Sequence, residues 1–578
     1  MRRRDFLASL AAAPLAPGVE FAAGPVNSVV LGGQLTLLTH YRRDALPPVR
    51  GTTLVGPRSE HSETFWRGFQ AARFHDYAQQ SSRIPVEPVP VAKLVAPGER
   101  FTQGGVSVEV AATPGYARGA VSYLLESGGR RLAVTGDLIY GDGQLLDLYS
   151  LQDAIPEAKV RGYHGYAARA ADLVASLRRI AAWRPDVILP ARGPAIEHPL
   201  AAIDKLIRRI EDVFRGYYSV DALRWYWGDD NLRTRARRVL GEAVPEWMPM
   251  AETVREKLPE WLVAVQNTRV ILSRTGAAFL VDCGSRKILE QVRSRRVEGM
   301  WITHYHDDHT DCAQAAAESF GCPVYACGQM KEILENPAAY RLPAQTANPI
   351  RNVKATRPGE KLRWHEFEFT FSYFPGQTLY HGGLHIRRDT GEEIFFLGDS
   401  FTPSGLDDYC LLNRNLLRRG AGYLECLRVL REERPAALLV NQHVAPLFRF
   451  SRQQLDFMQA ALERRMRTFA ELFPWPDINY GLDEQWARFH PYELRAGPAR
   501  VVIWNHSPRR EEYRITPRAW GKTLKTLRLT LDPGREGAVS FALQPPPGFA
   551  GLEVVTAGVA FGRWDLRQWC EALVDVRS

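Results

Sequence analysis

Thr303-His304-Tyr305-His306-Asp307-Asp308-His309 places three imidazoles and a carboxylate, on His304, His306, Asp308 and His309, within six residues directly after the apolar segment Met300 to Ile302. Imidazole nitrogens and carboxylate oxygens are the donors that zinc and iron accept. So many ionisable groups are too costly to bury without a shared partner. A loop leaving a strand end can aim alternate side chains at one point, so the spacing predicts a metal site; a solvated polar loop is the competing reading.

At these residues the sequence resembles the metallo-β-lactamase superfamily, whose THxHxDH motif is met in full by Thr303 to His309. Asp282, in Phe279-Leu280-Val281-Asp282-Cys283-Gly284, matches the structural strand-end aspartate that the family places before the motif. Asp399, in Gly398-Asp399-Ser400, matches the carboxylate that bridges two metals, and His443 the last histidine. The resemblance implies one metal on His304, His306 and a third histidine, a second on Asp308, His309 and His443, and Asp399 between them. Two zinc ions per chain are the implied cofactor, with iron or manganese as alternatives.

The third histidine departs from the family pattern, because Pro375-Gly376-Gln377-Thr378 stands where the family has Pro-Gly-His-Thr. Four residues on, His381 is followed by Gly382-Gly383, whose freedom would let its imidazole enter the same slot. His381 is therefore the expected ligand; a Gln377 oxygen and an incomplete first site are the alternatives. His385 reads as a plain strand residue.

A bound divalent metal lowers the pKa of water from about 15.7 to about 7, supplying a metal-bound hydroxide at neutral pH. Asp308 is the expected catalytic residue, orienting that hydroxide and shuttling its proton. The expected function is a metal-dependent hydrolase, dinuclear in zinc, acting on an ester, amide, thioester, lactone or phosphodiester bond of a small-molecule substrate. The alternatives are a non-catalytic metal-binding or scaffold protein, and an iron-dependent oxidoreductase. The flavodiiron form of the fold carries a Glu where His306 stands and adds a flavin domain, and the sequence has neither sign. Specificity is expected from Ser400 to Tyr409, just beyond Asp399, although Asp407 and Asp408 there also suit the capping of a following helix.

The elements that must position these residues occur twice. Thr39-His40-Tyr41-Arg42-Arg43-Asp44 echoes the histidine motif, Pro114-Gly115-Tyr116 echoes Pro375-Gly376-Gln377, Thr135-Gly136-Asp137 echoes Leu397-Gly398-Asp399, and Arg184-Pro185 running to Arg192 echoes Arg434-Pro435 running to His443. The order is kept at a nearly constant offset of about 250 to 264 residues. Apolar segments of period two alternate with amphipathic helices such as Leu173-Leu177-Ile180 and Leu424-Leu427-Leu430, a layered α/β pattern. The first copy keeps only His40, Asp44 and Asp137. Arg42, Ala45, Tyr116 and Arg192 replace the other ligands, so its carboxylates are expected to pair with the guanidinium groups. His61, His75 and His164 have no metal-ligand spacing.

The expected fold is therefore α/β: two αββα metallo-β-lactamase-like units in tandem plus a small C-terminal all-β sandwich. The expected segments are a leader over 1–24, a degenerate unit over 25–205, a helical linker over 206–261, a catalytic unit with a helical tail over 262–494, and the sandwich over 495–578. In the last, short strands such as Arg500 to Trp504 and Leu527 to Leu531 are separated by turn signals.

Hydrophobic residues at 45% and charged residues at 24% of 578 exclude a disordered chain. A net charge of +9 is thin over this length, and its arginines are scattered, so nucleic acid is not an expected partner. Seven cysteines, all after residue 282 and without a CxxC pair, exclude a disulfide scaffold and read as core residues. Arg3, Arg4, Phe6 and Leu7, followed by a weakly apolar stretch, resemble a twin-arginine export signal. That implies a periplasmic or secreted location; without a functional signal it would be cytoplasmic. No apolar run approaches the roughly 20 residues of a membrane helix.

Overall fold

The computed structural model describes residues 15–48, 51–59, 61, 83–146, 148, 170–243, 246–255, 257–340, 342, 344–408, 416–490 and 493–577. The leader residues Arg3, Arg4, Phe6 and Leu7 lie outside these, as do His75, His164, Tyr409 and Cys410.

Phe279-Leu280-Val281 and Met300-Trp301-Ile302 are continuous apolar runs because they are interior strands buried on both faces. They belong to a six-stranded mixed sheet ordered Leu262–Val265, Thr268–Leu272, Ala278–Val281, Val297–Ile302, Val324–Cys327, Lys354–Thr356. A seven-stranded sheet has Phe367–Tyr373, Gly382–Arg388, Glu393–Phe396 and Leu438–Val440 at its centre. The two sheets share one apolar core, including Phe279, Trp301, Phe369, Phe371, Ile386 and Phe396. The histidine motif leaves the C-terminal end of Val297–Ile302, and Asp399 and His443 follow the ends of two neighbouring strands of the other sheet.

The first half holds two five-stranded sheets, one from Val19–Ala22 to Val91–Val95 and one from Val187–Pro190 to Arg100–Gln103. Several local pairings recur in both halves. Leu35–Leu37 is parallel to Thr53–Pro57 as Val297–Ile302 is to Val324–Cys327. Val187–Pro190 is parallel to Arg130–Gly136 as Leu438–Val440 is to Glu393–Phe396. Val121 N donates to Thr39 O at 2.9 Å, and Gly382 N to Thr303 O at 2.7 Å.

One difference lies just before the motif. Ser28–Leu31 joins Leu35–Leu37 as an antiparallel hairpin, whereas Ala278–Val281 runs parallel to Val297–Ile302 through a crossover containing the helix Lys287–Gln291. The short Gly32-Gly33-Gln34 link can close only a hairpin, since a parallel crossover needs a dozen or more residues. Among the described residues the first half therefore shows no counterpart of the parallel strand whose end carries Asp282 in the second.

Helix Pro199–Tyr218, with proline at its first turn, packs against Arg452–Leu472, which starts with a capping box between Ser451 and Gln454. Leu206, Ile210 and Val213 of one share a core with Met458, Leu462 and Phe469 of the other, and Arg464 Nε donates to Asp212 Oδ1 at 2.9 Å at the rim. The first of these helices runs across the 205/206 boundary drawn from the sequence. The stretch 206–261 also holds the helix Leu223–Leu240 and a strand, Glu252–Arg255, on the edge of the seven-stranded sheet.

Beyond the second helix lie two further sheets, built on Pro498–Trp504 with Glu536–Ala542 and on Glu511–Ala519, Gly551–Phe561 and Trp564–Val576. Ala487–Phe489 pairs with Pro498–Trp504, so this β region begins before residue 495. The cysteines other than Cys410 are buried free thiols.

Candidate metal centre

Asp282 ends its strand in the left-handed region, φ 63°, which aims its carboxylate back at the motif. Oδ1 accepts from Thr303 N at 2.7 Å, and Oδ2 accepts from Thr303 Oγ1 at 2.8 Å and faces His309 Nδ1 at 3.0 Å. These contacts fix two tautomers. The Thr303 hydroxyl hydrogen is spent on Asp282, so Thr303 Oγ1 accepts from His304 Nδ1 at 3.0 Å and the Nε2 lone pair of His304 faces inward. His309 likewise gives its Nδ1 hydrogen to Asp282 and turns Nε2 inward.

The inward nitrogens meet acceptors and one another. His304 Nε2 lies 3.0 Å from His306 Nδ1 and 3.8 Å from Asp399 Oδ2. His309 Nε2 lies 3.3 Å from Asp399 Oδ2 and 3.2 Å from His443 Nε2. His443 Nε2 is 3.1 Å from both Asp399 Oδ2 and Asp308 Oδ2. Among the described residues two groups of three donors could each hold a cation: His304, His309 and Asp399, and Asp308, His309 and His443. Asp399 Oδ1 is buried without a hydrogen-bond partner, an unused lone pair in the middle of the cluster. Nitrogens facing nitrogens and a bare carboxylate oxygen fit a divalent cation better than they fit each other.

The electrostatics separate two kinds of imidazole. Burial holds His304 well below the ordinary histidine range and pushes His306 down to about 4, leaving both neutral with lone pairs to offer. His309 is raised because Asp308, Asp399 and Asp282 outweigh burial, and Asp399 raises His443 to about 10. Asp399 is held well below the carboxylate range, where His443 and His309 outweigh burial.

Of the residues singled out in the sequence, His304, His306, Asp308, His309, Asp399 and His443 come together. His381 is fully buried, its ring stacked on His304 with centroids 5.0 Å apart, its Nε2 3.3 Å from Ser400 Oγ and its Nδ1 without a partner. It belongs to neither three-donor group, although its ring joins the cluster. Gly398, with φ 54°, admits it: a Cβ there would lie 2.4 Å from His381 Nε2. Gln377 is also buried, and its backbone N donates to Ser400 Oγ at 3.3 Å. His385 sits in the strand Gly382–Arg388. Asp408 pairs with Arg465 at 2.6 Å and Asp407 is buried beside Asp399, while the residues that follow them, where a capped helix would start, lie outside the described residues. Sequence reasoning missed Asn267, which donates to Asp308 Oδ2 at 2.9 Å; no motif marks it.

In the first half the corresponding residues form an ion-paired cluster. Arg192 Nη1 binds Asp137, its Nη2 lies 3.1 Å from Asp44 Oδ2, and Arg42 Nε lies 3.5 Å from Asp44 Oδ1. His40 Nε2 lies 3.2 Å from Asp137, Tyr116 OH donates to Asp44 at 3.0 Å, and the Arg42 guanidinium stacks 3.8 Å over the Tyr116 ring. The Arg192 guanidinium bridges the two carboxylates, and that of Arg42 lies beside Asp44.

Residues 263–443 match the family model of the metallo-beta-lactamase superfamily, so the resemblance carried by the histidine motif is borne out over that stretch. An uncharacterised protein of Mycobacterium tuberculosis is 28% identical over 152 residues, covering 23% of this chain and 67% of that protein. A hydroxyacylglutathione hydrolase of Idiomarina loihiensis is 24% identical over 208 residues, covering 31% of this chain and 79% of its own length. Among solved structures, a subclass B3 metallo-beta-lactamase with an active-site glutamic acid is 17% identical with a TM-score of 0.29, covering 39% of this chain and 91% of that one.

Proposed function

We propose that this chain is an exported metal-dependent hydrolase in which residues 262–450 carry a dinuclear zinc site and the first half is a degenerate copy of the same unit. The C-terminal sheets have a packing or recognition role in this reading. One observation carries it: two three-donor groups share His309, and His304, His309 and His443 converge on one oxygen of Asp399. The hydroxyacylglutathione hydrolase among the relatives supports hydrolysis as the reaction class.

Held there, a divalent metal supplies Lewis acidity and acidifies water. The protein's own groups do the rest. Asp282 and Thr303 lock the imidazole tautomers, Asn267 orients Asp308, and Asp308, half-exposed at the mouth, takes the proton of the attacking water on its carboxylate. The substrate is a small molecule with an ester, amide, thioester, lactone or phosphodiester bond.

The test is metal content by elemental analysis together with turnover across those bond types. Asp308→Ala and His309→Ala should each lower turnover by about a thousandfold or more, and His309→Ala should also lose bound metal because it serves both groups. Near-normal turnover in both variants would refute the dinuclear mechanism.

A further inference from the structure

Arg269 is a buried guanidinium, 3% exposed, on the strand Thr268–Leu272 of the six-stranded sheet. Its Nη1 donates to Gln266 O at 2.8 Å and to Thr268 O at 3.3 Å, at the turn of the hairpin formed with Leu262–Val265. Its Nη2 donates to Gln442 O at 2.7 Å and to Asn441 O at 3.3 Å, in the loop that leaves Leu438–Val440 of the seven-stranded sheet and leads to His443. Taking a guanidinium out of water is costly unless its donors are met. Here one planar fork meets two pairs of carbonyls, and the pairs belong to different sheets.

Both segments that it grips lead to the metal centre. Val265 pairs with Thr268, so the turn is Gln266-Asn267, and Gln266 stands in the left-handed region, φ 52°, which is uncommon outside glycine. Arg269 holds the carbonyl of that residue. Asn267, next in the turn, donates from Nδ2 to Asp308 Oδ2 at 2.9 Å. On the other side, Asn441 Oδ1 accepts from His443 N at 2.6 Å and its Nδ2 donates to Phe401 O at 2.9 Å, which staples the His443 loop to the chain just beyond Asp399. Asp308 and His443 are 3.1 Å apart and belong to one three-donor group, yet they come from loops of different sheets.

We infer that Arg269 is a positioning residue: it sets His443 against Asp308 by gripping the loop of the one and the turn that carries the partner of the other. It acts through backbone carbonyls, so no ligand-spacing pattern marks it. The inference rests on the dinuclear reading for the cation that these two ligands would share, and not for the contacts themselves. A lysine in its place keeps the charge but has no planar fork to span both pairs of carbonyls.

Two measurements on the full-length protein test it. In the first, amide hydrogen exchange of the metal-free protein is followed by mass spectrometry. Residues 441–443 should exchange about tenfold faster in Arg269→Lys and Arg269→Met than in the wild type, with Leu438–Val440 unchanged. Unchanged exchange at 441–443 overturns the inference; so does general loss of strand protection in Arg269→Lys, since the guanidinium would then hold the fold at large. In the second, cobalt(II) is titrated and followed by its visible absorption. The wild type should take up two ions, and Arg269→Lys should weaken one of the two steps about tenfold and leave the other within twofold. In a His443→Ala background the same change should weaken binding no further, and a further loss there would show that Arg269 does not act through His443. If the wild type takes up one cobalt ion or none while exchange at 441–443 still depends on Arg269, the dinuclear reading falls and the positioning role stands.

Discussion

Arg192 neutralises Asp137 and Asp44 in the first half, and a guanidinium cannot leave with a chelator or a change of metal supply. Asp137 is held below the usual carboxylate range because Arg192, then His40, outweigh burial. A carboxylate with a depressed folded pKa contributes stability above its unfolded value, near 4, and loses it as the pH falls through the folded value. Arg192→Met leaves buried carboxylates short of a partner and should cost about 3–5 kcal/mol at pH 7. The deficit should shrink as the pH falls to the ordinary carboxylate value near 4 and below, because the buried Asp137 without its guanidinium takes a proton more readily than the ion-paired one. Urea unfolding of both proteins across that range checks it, and a deficit independent of pH would contradict the ion-pair account. The arginine substitutions at 42 and 192 were readable because a fixed cation stood where a ligand was expected. The third metal ligand was not, because Gln377 and His381 differ only in how a glycine-flanked loop folds, and the close approach of Gly398 to the His381 ring comes from the turn after another strand, Glu393–Phe396.

At the scale of elements, the motif loop is held from behind by a glycine that no metal-binding pattern marks as essential to the site. A Cβ on Gly284 would lie 1.6 Å from the carbonyl oxygen of Asp308. Cys283 N donates to His309 O at 2.7 Å, and Cys312 N to Cys283 O at 2.9 Å, so the turn after Asp282 and the short helix Asp307–Thr310 are one packed unit. Gly284→Ala should therefore push Asp308 and His309 out of register and lose metal although no ligand has changed. Elemental analysis of that variant, with circular dichroism showing retained secondary structure, is the measurement; full metal content would show that the loop gives way freely. Helices were legible where periodicity was strong, as in Ala170–Trp183 with Leu173, Leu177 and Ile180 on its buried face. The hairpin Ser28–Leu31 to Leu35–Leu37 was not, since the repeat offset suggests the same strand order in both halves and says nothing about strand direction.

For the whole molecule, the largest apolar core runs without interruption from Ala111 and Leu138 through the helices Pro199–Tyr218 and Arg452–Leu472 to Val574 of the last strand. Arg43, inside the first half's motif copy, binds Glu571 and donates to Gln568 O at 2.9 Å, so the C-terminal sheet is also tied to that half. Calorimetry should then show one unfolding transition rather than one per sequence segment. Two separated transitions would show that the halves are independent. Among the described residues no helix is long and apolar enough to cross a membrane. The export proposal rests on the leader: replacing Arg3 and Arg4 by lysine should leave the protein in the cytoplasm, and normal export of that variant, followed by fractionation, would remove it.

The two long helices that join the halves belong to a single chain. In a symmetric homodimer every substitution is made twice, and dilution pulls the partners apart. On the proposal that the first half is a degenerate copy, a single chain is under neither constraint. One half could exchange its histidines for arginines without taking ligands from its neighbour, and its partner's local concentration no longer depends on how much protein a cell makes.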